Sequence, residues 1–272
     1  MIIGPNCEIP VGCAMKDSIL KFFLLVVVLS IPFYLIGAVT GLTLLPGLPL
    51  SALAAFSPMI AAIILVHRES GNPGVVSLLR RSFDFRRIKR VVWYVPVLFL
   101  MPAVMILSFA VIRLSGVPVP TPRIEVLPAL ALLAAFFVAA VGEELGWCGY
   151  AIDPMQAKWG ALQAGIILGV FWVVWHYPPL MQADRSMAWI AWWSLGSVSL
   201  RVIIVWLYNN TGKSVFAASF FHSTINLTWQ LFPINGSYYD PFITGLITVG
   251  VAAVIVAVWG AQTLANRIGP GR

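Results

Sequence analysis

Long apolar runs separated by short polar breaks dominate the chain. A helix needs about 20 apolar residues to cross roughly 30 Å of hydrocarbon, and most of the runs approach that length. The first extends from Ile19 to Leu44, and the second, shorter but uncharged, from Ser51 to Val66. Gly71-Asn72-Pro73-Gly74 then reads as a turn and Val75–Leu79 as a short surface helix. The third run, Val91–Leu114, ends before Pro118-Val119-Pro120-Thr121-Pro122, which cannot be helix interior. The fourth starts near Leu127 and runs into Gly142-Glu143-Glu144. The fifth covers about Leu162 to Tyr177, where Pro178-Pro179 stop it. The sixth is Met187–Tyr208, the seventh Val215–Leu231 and the eighth Ile243–Leu264. No internal repeat is visible. In lipid every backbone polar group must be satisfied within its own segment. The pattern therefore predicts an all-α fold, a polytopic membrane helical bundle with about eight transmembrane helices in a single domain.

Composition narrows the class further. Of 272 residues, 60% are hydrophobic and only 10% charged, against about 25% charged in a soluble protein. Mean hydropathy is +0.92. A soluble globule, a disordered chain, a coiled coil and a disulfide scaffold are excluded. The net charge of +7 does not indicate nucleic-acid binding, because seven of the 17 basic residues fall between two apolar runs: Arg68, Arg80, Arg81, Arg86, Arg87, Lys89 and Arg90. That is a topology signal, with contact to anionic lipid as a secondary role. Eight spans put this linker on the same side as Lys16, Lys21, Lys158, Lys213 and Arg267, with mainly Arg123 and Arg185 opposite. The expectation is a multi-pass protein of the cell (plasma) membrane with both termini cytoplasmic.

Residues 1–14 differ from the rest and read as an extension, with Met15-Lys16 as the natural start of a membrane domain over 15–272 whose motif-bearing core is about 127–231. No signal-peptide cleavage site follows the first run, so it reads as a retained helix. Cys7, Cys13 and Cys148 have the spacing of neither a disulfide framework nor a zinc knuckle; they read as reduced thiols. Asn-x-Ser/Thr at Asn209, Asn226 and Asn235 reads as chance.

The informative residues are polar ones inside apolar runs, where a charge costs about 2.5–3.5 kcal/mol even on a lenient scale. They are Glu143, Glu144, His176, Arg201, His222 and Asn226, with Arg113 near the end of the third run. His222 and Asn226 share one helix face, as do Trp172 and His176. At 1.5 Å per residue His222 lies roughly 10 Å and Asn226 roughly 16 Å past Val215. Glu143 lies roughly 12 Å from the end of a fourth helix that continues to Ala151. His176, counted from Leu162, lies roughly 21 Å deep, so either the fifth helix begins nearer Gly165 or the site is a deep cavity. Simpler readings compete. Paired Glu at a helix end are often a solvated face, and a membrane His often makes a helix–helix hydrogen bond. Arg201 reads as pairing with a carboxylate or snorkelling. Trp189, Trp192, Trp193 and Trp206 read as interface belt and packing.

A partly buried carboxylate can act as general base, and imidazoles and an amide can stabilise an oxyanion. Together they suffice to hydrolyse an amide with water. The same Glu and two His also match a zinc ligand set.

These residues carry a resemblance. Glu143-Glu144-Leu145-Gly146-Trp147-Cys148 resembles the first motif, Glu-Glu-x-x-x-Arg, of the CPBP family of CAAX proteases and bacteriocin-processing intramembrane proteases, which includes the Rce1-like enzymes. Trp172-Val173-Val174-Trp175-His176 resembles the second, Phe-x-x-x-His, and His222-Ser223-Thr224-Ile225-Asn226 matches the third, His-x-x-x-Asn. Three motifs in order inside predicted spans are far more specific than any one. The resemblance implies an intramembrane endopeptidase acting on a membrane-associated protein or peptide in the lipid bilayer. It implies Glu143 as the residue that activates water, with His176 assisting, and His222 and Asn226 as oxyanion donors. Glu144, Cys148 and Trp172 are supporting residues. No cofactor is expected; the alternative is one divalent metal, zinc, at Glu143, His176 and His222. Asn226 favours the metal-free version, being a poor zinc ligand and a good oxyanion donor. The departure is Cys148, which stands where the motif has Arg and cannot neutralise Glu144. Glu144 is then protonated, paired with Arg201 or Lys213, or left in a weakened site, and Arg201 is the leading candidate. A non-catalytic scaffold or immunity-type protein with the same fold is the second functional reading. A transporter is the third, disfavoured by the missing inverted repeat.

Overall fold

The computed structural model describes residues 15–232 and 236–265, with the side chains of 15–17 excepted. The 1–14 extension with Cys7 and Cys13, the side chain of Lys16, Asn235 and Arg267 lie outside the described residues. Ten α-helices follow one another among those described: α1 Met15–Thr40, α2 Ser57–Arg80, α3 Tyr94–Leu114, α4 Val126–Gly146, α5 Ile152–Trp159, α6 Ala161–Trp175, α7 Tyr177–Gln182, α8 Met187–Asn210, α9 Val215–Gln230 and α10 Pro241–Trp259. A hairpin of β1 Thr43–Leu45 and β2 Leu48–Pro49 follows α1. Among the described residues, seven helical segments are long and apolar enough to cross a membrane. The protein is a polytopic helical bundle.

Glycines with positive φ set several boundaries that the apolar runs alone misplace. α1 stops at Thr40 before Gly41 (φ 62), so the tail of the first run forms the hairpin instead. α10 stops before Gly260 (φ 77), short of Leu264. The second span does not run Ser51–Val66. A 3-10 turn covers Leu50–Phe56, and α2 continues from Ser57 to Arg80 past Pro73. The expected turn is a kink within that helix, at Gly71 (φ 63, ψ −163), and the expected surface helix is its second half. α4 does continue through Ala151, by way of a π-helical segment Trp147–Ala151 that leads into α5.

The seventh span is the main adjustment. α9 has 16 residues, about 24 Å at the helical rise, and is not among the seven long apolar segments. It packs against α3, α4 and α8, and most of its residues are buried or half-buried. A helix shielded by neighbours need not present a full apolar span to lipid, which leaves room for His222 and Asn226.

Small residues bring the site-bearing helices close. A Cβ on Gly146 would lie 2.6 Å from the Pro58 backbone, and one on Gly142 2.8 Å from Phe56. These two glycines, one turn apart, let α4 sit directly on the start of α2. Gly165 and Gly169 do the same for α6 and α8: a Cβ on Gly169 would lie 3.2 Å from both Val198 and Arg201. The basic linker closes one end of the bundle. Arg81 donates to the backbone oxygens of Gly149 (2.8 Å) and Lys213 (2.9 Å) and to the Tyr208 hydroxyl (2.8 Å).

Candidate active site

Residues 142, 143 and 144 are each rotated by about 100° around α4, so they meet three different neighbours. Gly142 faces the start of α2, Glu143 faces α6, and Glu144 faces α8 and α9. Two adjacent carboxylates thereby enter separate environments.

Glu143 is held by indoles. Its Oε2 accepts from Trp172 Nε1 at 2.6 Å and from Trp147 Nε1, one turn along its own helix, at 3.2 Å. Its Oε1 lies 3.9 Å from His222 Nε2. Glu144 is fully buried; both its oxygens accept from the same Arg201 nitrogen at 2.8 Å, and Oε1 also lies 3.0 Å from His222 Nδ1. A carboxylate oxygen accepts, so the proton of that contact sits on Nδ1 and the ring is oriented with Nε2 toward Glu143. Lys213, the other cation considered for Glu144, pairs with Asp153 at 3.1 Å. Cys148 is a buried free thiol.

The two imidazoles flank one indole. Trp172 lies edge-on to His176 and His222, with ring centroids 5.0 and 5.4 Å apart. α6 ends at Trp175, and the His176 ring folds back one turn, its Nδ1 donating to the Trp172 carbonyl at 2.7 Å. α6 begins at Ala161, not nearer Gly165, so the His176 backbone does lie deep, and its ring leans back toward the N-terminal end of the helix. This carbonyl contact leaves the Nε2 lone pair of a neutral His176 free. Pro178 and Pro179 fall in the first turn of α7, where a missing N–H costs nothing. Glu143 and His222 form a buried floor, while His176 and Asn226 are half-buried. Asn226 lies one turn beyond His222 on α9, and its side chain has no hydrogen-bond partner among the described residues. Arg113 is exposed in the last turn of α3, away from this group.

Several neighbours escape the motif reading. Trp147 is four residues after Glu143, a spacing that signals the contact. Ser30 and Tyr34 stand one turn apart in the otherwise apolar stretch Phe22–Val39. Ser30 Oγ accepts from Trp175 Nε1 and Tyr34 Oη donates to the Trp175 carbonyl, both at 2.7 Å, which fixes α1 against the break beside His176. Gly165-x-x-x-Gly169 marks the α6–α8 approach that brings Arg201 over Trp172.

Comparison with known proteins places the chain in a family. The family model described as type II CAAX prenyl endopeptidase Rce1-like matches residues 125–228, which contain all three motifs. CAAX prenyl protease 2 of Methanococcus maripaludis is 30% identical over 234 residues, covering 79% of this chain and 81% of that protein. With its order of motifs and its bundle of apolar helices, the chain belongs to the Rce1-like CAAX prenyl protease family, a family of intramembrane endopeptidases.

Proposed function

We propose that the protein hydrolyses a peptide bond of a membrane-associated protein or peptide with water activated by Glu143. The carrying observation is the 3.9 Å approach of Glu143 Oε1 to His222 Nε2 on a buried floor. A base and an oxyanion donor must both reach one reacting centre about 3 Å from each. Water bound between Glu143 and the scissile carbonyl gives its proton to Glu143, and the hydroxide attacks the carbonyl carbon. The oxyanion is met by the Asn226 amide and by His222 Nε2 when that nitrogen carries a proton. The C–N bond then breaks, and Glu143, assisted by His176, returns the proton to the leaving amine. The indoles on Oε2 keep the other carboxylate oxygen aimed at the water.

This reading uses no metal. Among the described residues no three His, Cys, Asp or Glu side chains gather into a metal-binding group. Glu143 Oε2 and His222 Nδ1 are already engaged, which supports direct activation of water. The relative's name makes a prenylated CAAX-type peptide the first substrate to assay. The test is Glu143→Gln in the purified full chain. Cleavage should fall roughly 10²–10⁴-fold, the usual share of a general base, and chelators should not affect the wild type. Unchanged cleavage by Glu143→Gln would remove Glu143 as the base; absence of cleavage by the wild type would favour a scaffold; loss on chelation would favour zinc.

For orientation we propose that both termini and the Arg80–Arg90 linker face the cytoplasm. Support comes from the gathering of Lys213 with Arg81 and Arg87 at one end of the bundle. Reporter fusions after Arg90 and after Pro122 should report opposite sides; identical readouts would break the proposal.

A further inference from the structure

Arg201 takes no step in the hydrolysis above, yet it is fully buried in the middle of α8. We propose that Arg201 is a positioning residue for catalysis, holding Glu144 as the carboxylate that orients His222 toward the reacting carbonyl. The proposal rests on the hydrolytic reading of the site.

The geometry ties Arg201 to both halves of the site. One terminal nitrogen donates to both oxygens of Glu144 at 2.8 Å, and Glu144 Oε1 in turn receives the Nδ1 proton of His222 at 3.0 Å. That contact holds the Nδ1 proton against Glu144 and aims Nε2 at Glu143, where it donates to an oxyanion once it too is protonated. The guanidinium also lies over Trp172, its carbon 4.4 Å from the ring centroid, and the Trp172 indole donates to Glu143. One cation therefore backs the carboxylate behind His222 and the indole behind Glu143, while touching neither face that meets substrate. Without it, two carboxylates would share an apolar interior with one imidazole. Glu144 would then take up a proton or draw His222 away from its aim. Gly169 permits the contact, since a side chain there would press on Arg201.

The fold offers a second route to the same carboxylate. Cys148 lies one turn after Glu144 on the same rod and is buried. A guanidinium at that position would reach Glu144 from the π-helical segment that extends α4 once the space of Arg201 is vacated. The cation is thus supplied by a side chain of α8 rather than from the rod that carries Glu144, and its function should be transferable between the two.

The experiment compares wild type, Arg201→Met, and Arg201→Met combined with Cys148→Arg, each as the full chain in nanodiscs. kcat and KM for a prenylated CAAX-type peptide and the unfolding temperature are read together, with Glu143→Gln as reference. Arg201→Met should lower kcat at least tenfold with KM within twofold, and adding Cys148→Arg should restore most of the kcat and the unfolding temperature. A folded Arg201→Met with wild-type kcat, or with a change in KM alone, overturns the positioning role. If Arg201→Met does not fold, the double variant decides: folded and active supports the proposal, folded and inactive or unfolded overturns it. Failure of Glu143→Gln to reduce cleavage would instead remove the Glu143-based mechanism; stability restored by Cys148→Arg would still show that the cation is transferable.

Discussion

Two arginine–carboxylate groups hold α9, one at the linker end and one inside the bundle, and they do different work. At the linker, Asp84 accepts from Ser214 Oγ (2.7 Å) and from the backbone of Phe216 (3.0 Å) and Val215 (3.3 Å) at the start of the helix. Arg81 and Arg87 flank it at 3.9 and 3.5 Å, and Arg87 is 52% exposed. Seven residues further along α9, about 10 Å, His222 meets the Glu144–Arg201 pair, where both side chains are 0% exposed. At the edge of water a cation competes with solvent, so such a pair contributes about 0–1 kcal/mol. Asp84 matters there as a helix cap. Inside, desolvation makes each partner depend on the other, and removing one costs about 3–5 kcal/mol. The same chemistry is an accessory at one end of the helix and a requirement at the other.

The largest expected effect comes from breaking the inner pair. Arg201→Met should lose about 3–5 kcal/mol of stability in denaturant titration, because it strands a buried carboxylate. Arg201→Met with Glu144→Gln should recover much of that loss. If the double variant is no more stable than the single one, the cost lies in packing and the contrast fails. Next, Gly146→Ala should cost about 1–3 kcal/mol by forcing α4 from Pro58, and cleavage should fall with it as the Glu143 rod moves. Normal cleavage would show that the inner site tolerates displacement. At the linker, Asp84→Ala should cost about 0.5–2 kcal/mol through the lost cap, and Asp84→Asn much less, since Asn also caps. Equal losses from both would mean that charge matters there after all. The smallest effect belongs to Arg87→Ala, at most about 1 kcal/mol and fading between low and high salt. A salt-independent loss would make the outer pair resemble the inner one.

Much of this was legible in the chain because lipid imposes a harsh rule: apolar runs must be helices, and polar exceptions need partners. That exposed Glu143, Glu144, His176, Arg201, His222 and Asn226. What misled was local. The 3-10 lead-in at Leu50–Phe56 and the continuation of α2 past Gly71 carry no hydropathy signal, because apolar content does not report which glycine takes a positive φ. α9 looked like an ordinary span, since sequence cannot say that three neighbours cover it.

The sequence by itself determined a membrane bundle, the helices that carry the polar residues, and the shared face of His222 with Asn226, all consequences of helical periodicity and the cost of polarity in hydrocarbon. The motif resemblance implied Glu143 as the base and made Arg201 the leading partner of Glu144; only the tertiary structure decided how, by turning a Glu143 oxygen toward His222 Nε2 and both Glu144 oxygens onto Arg201. Residues 143 and 144 differ by one position in sequence but by about 100° around the helix, and their partners, Trp172, Arg201 and His222, come from three other helices. Whether a buried carboxylate finds a cation depends on how closely those helices approach, and here glycines such as Gly169 set that distance.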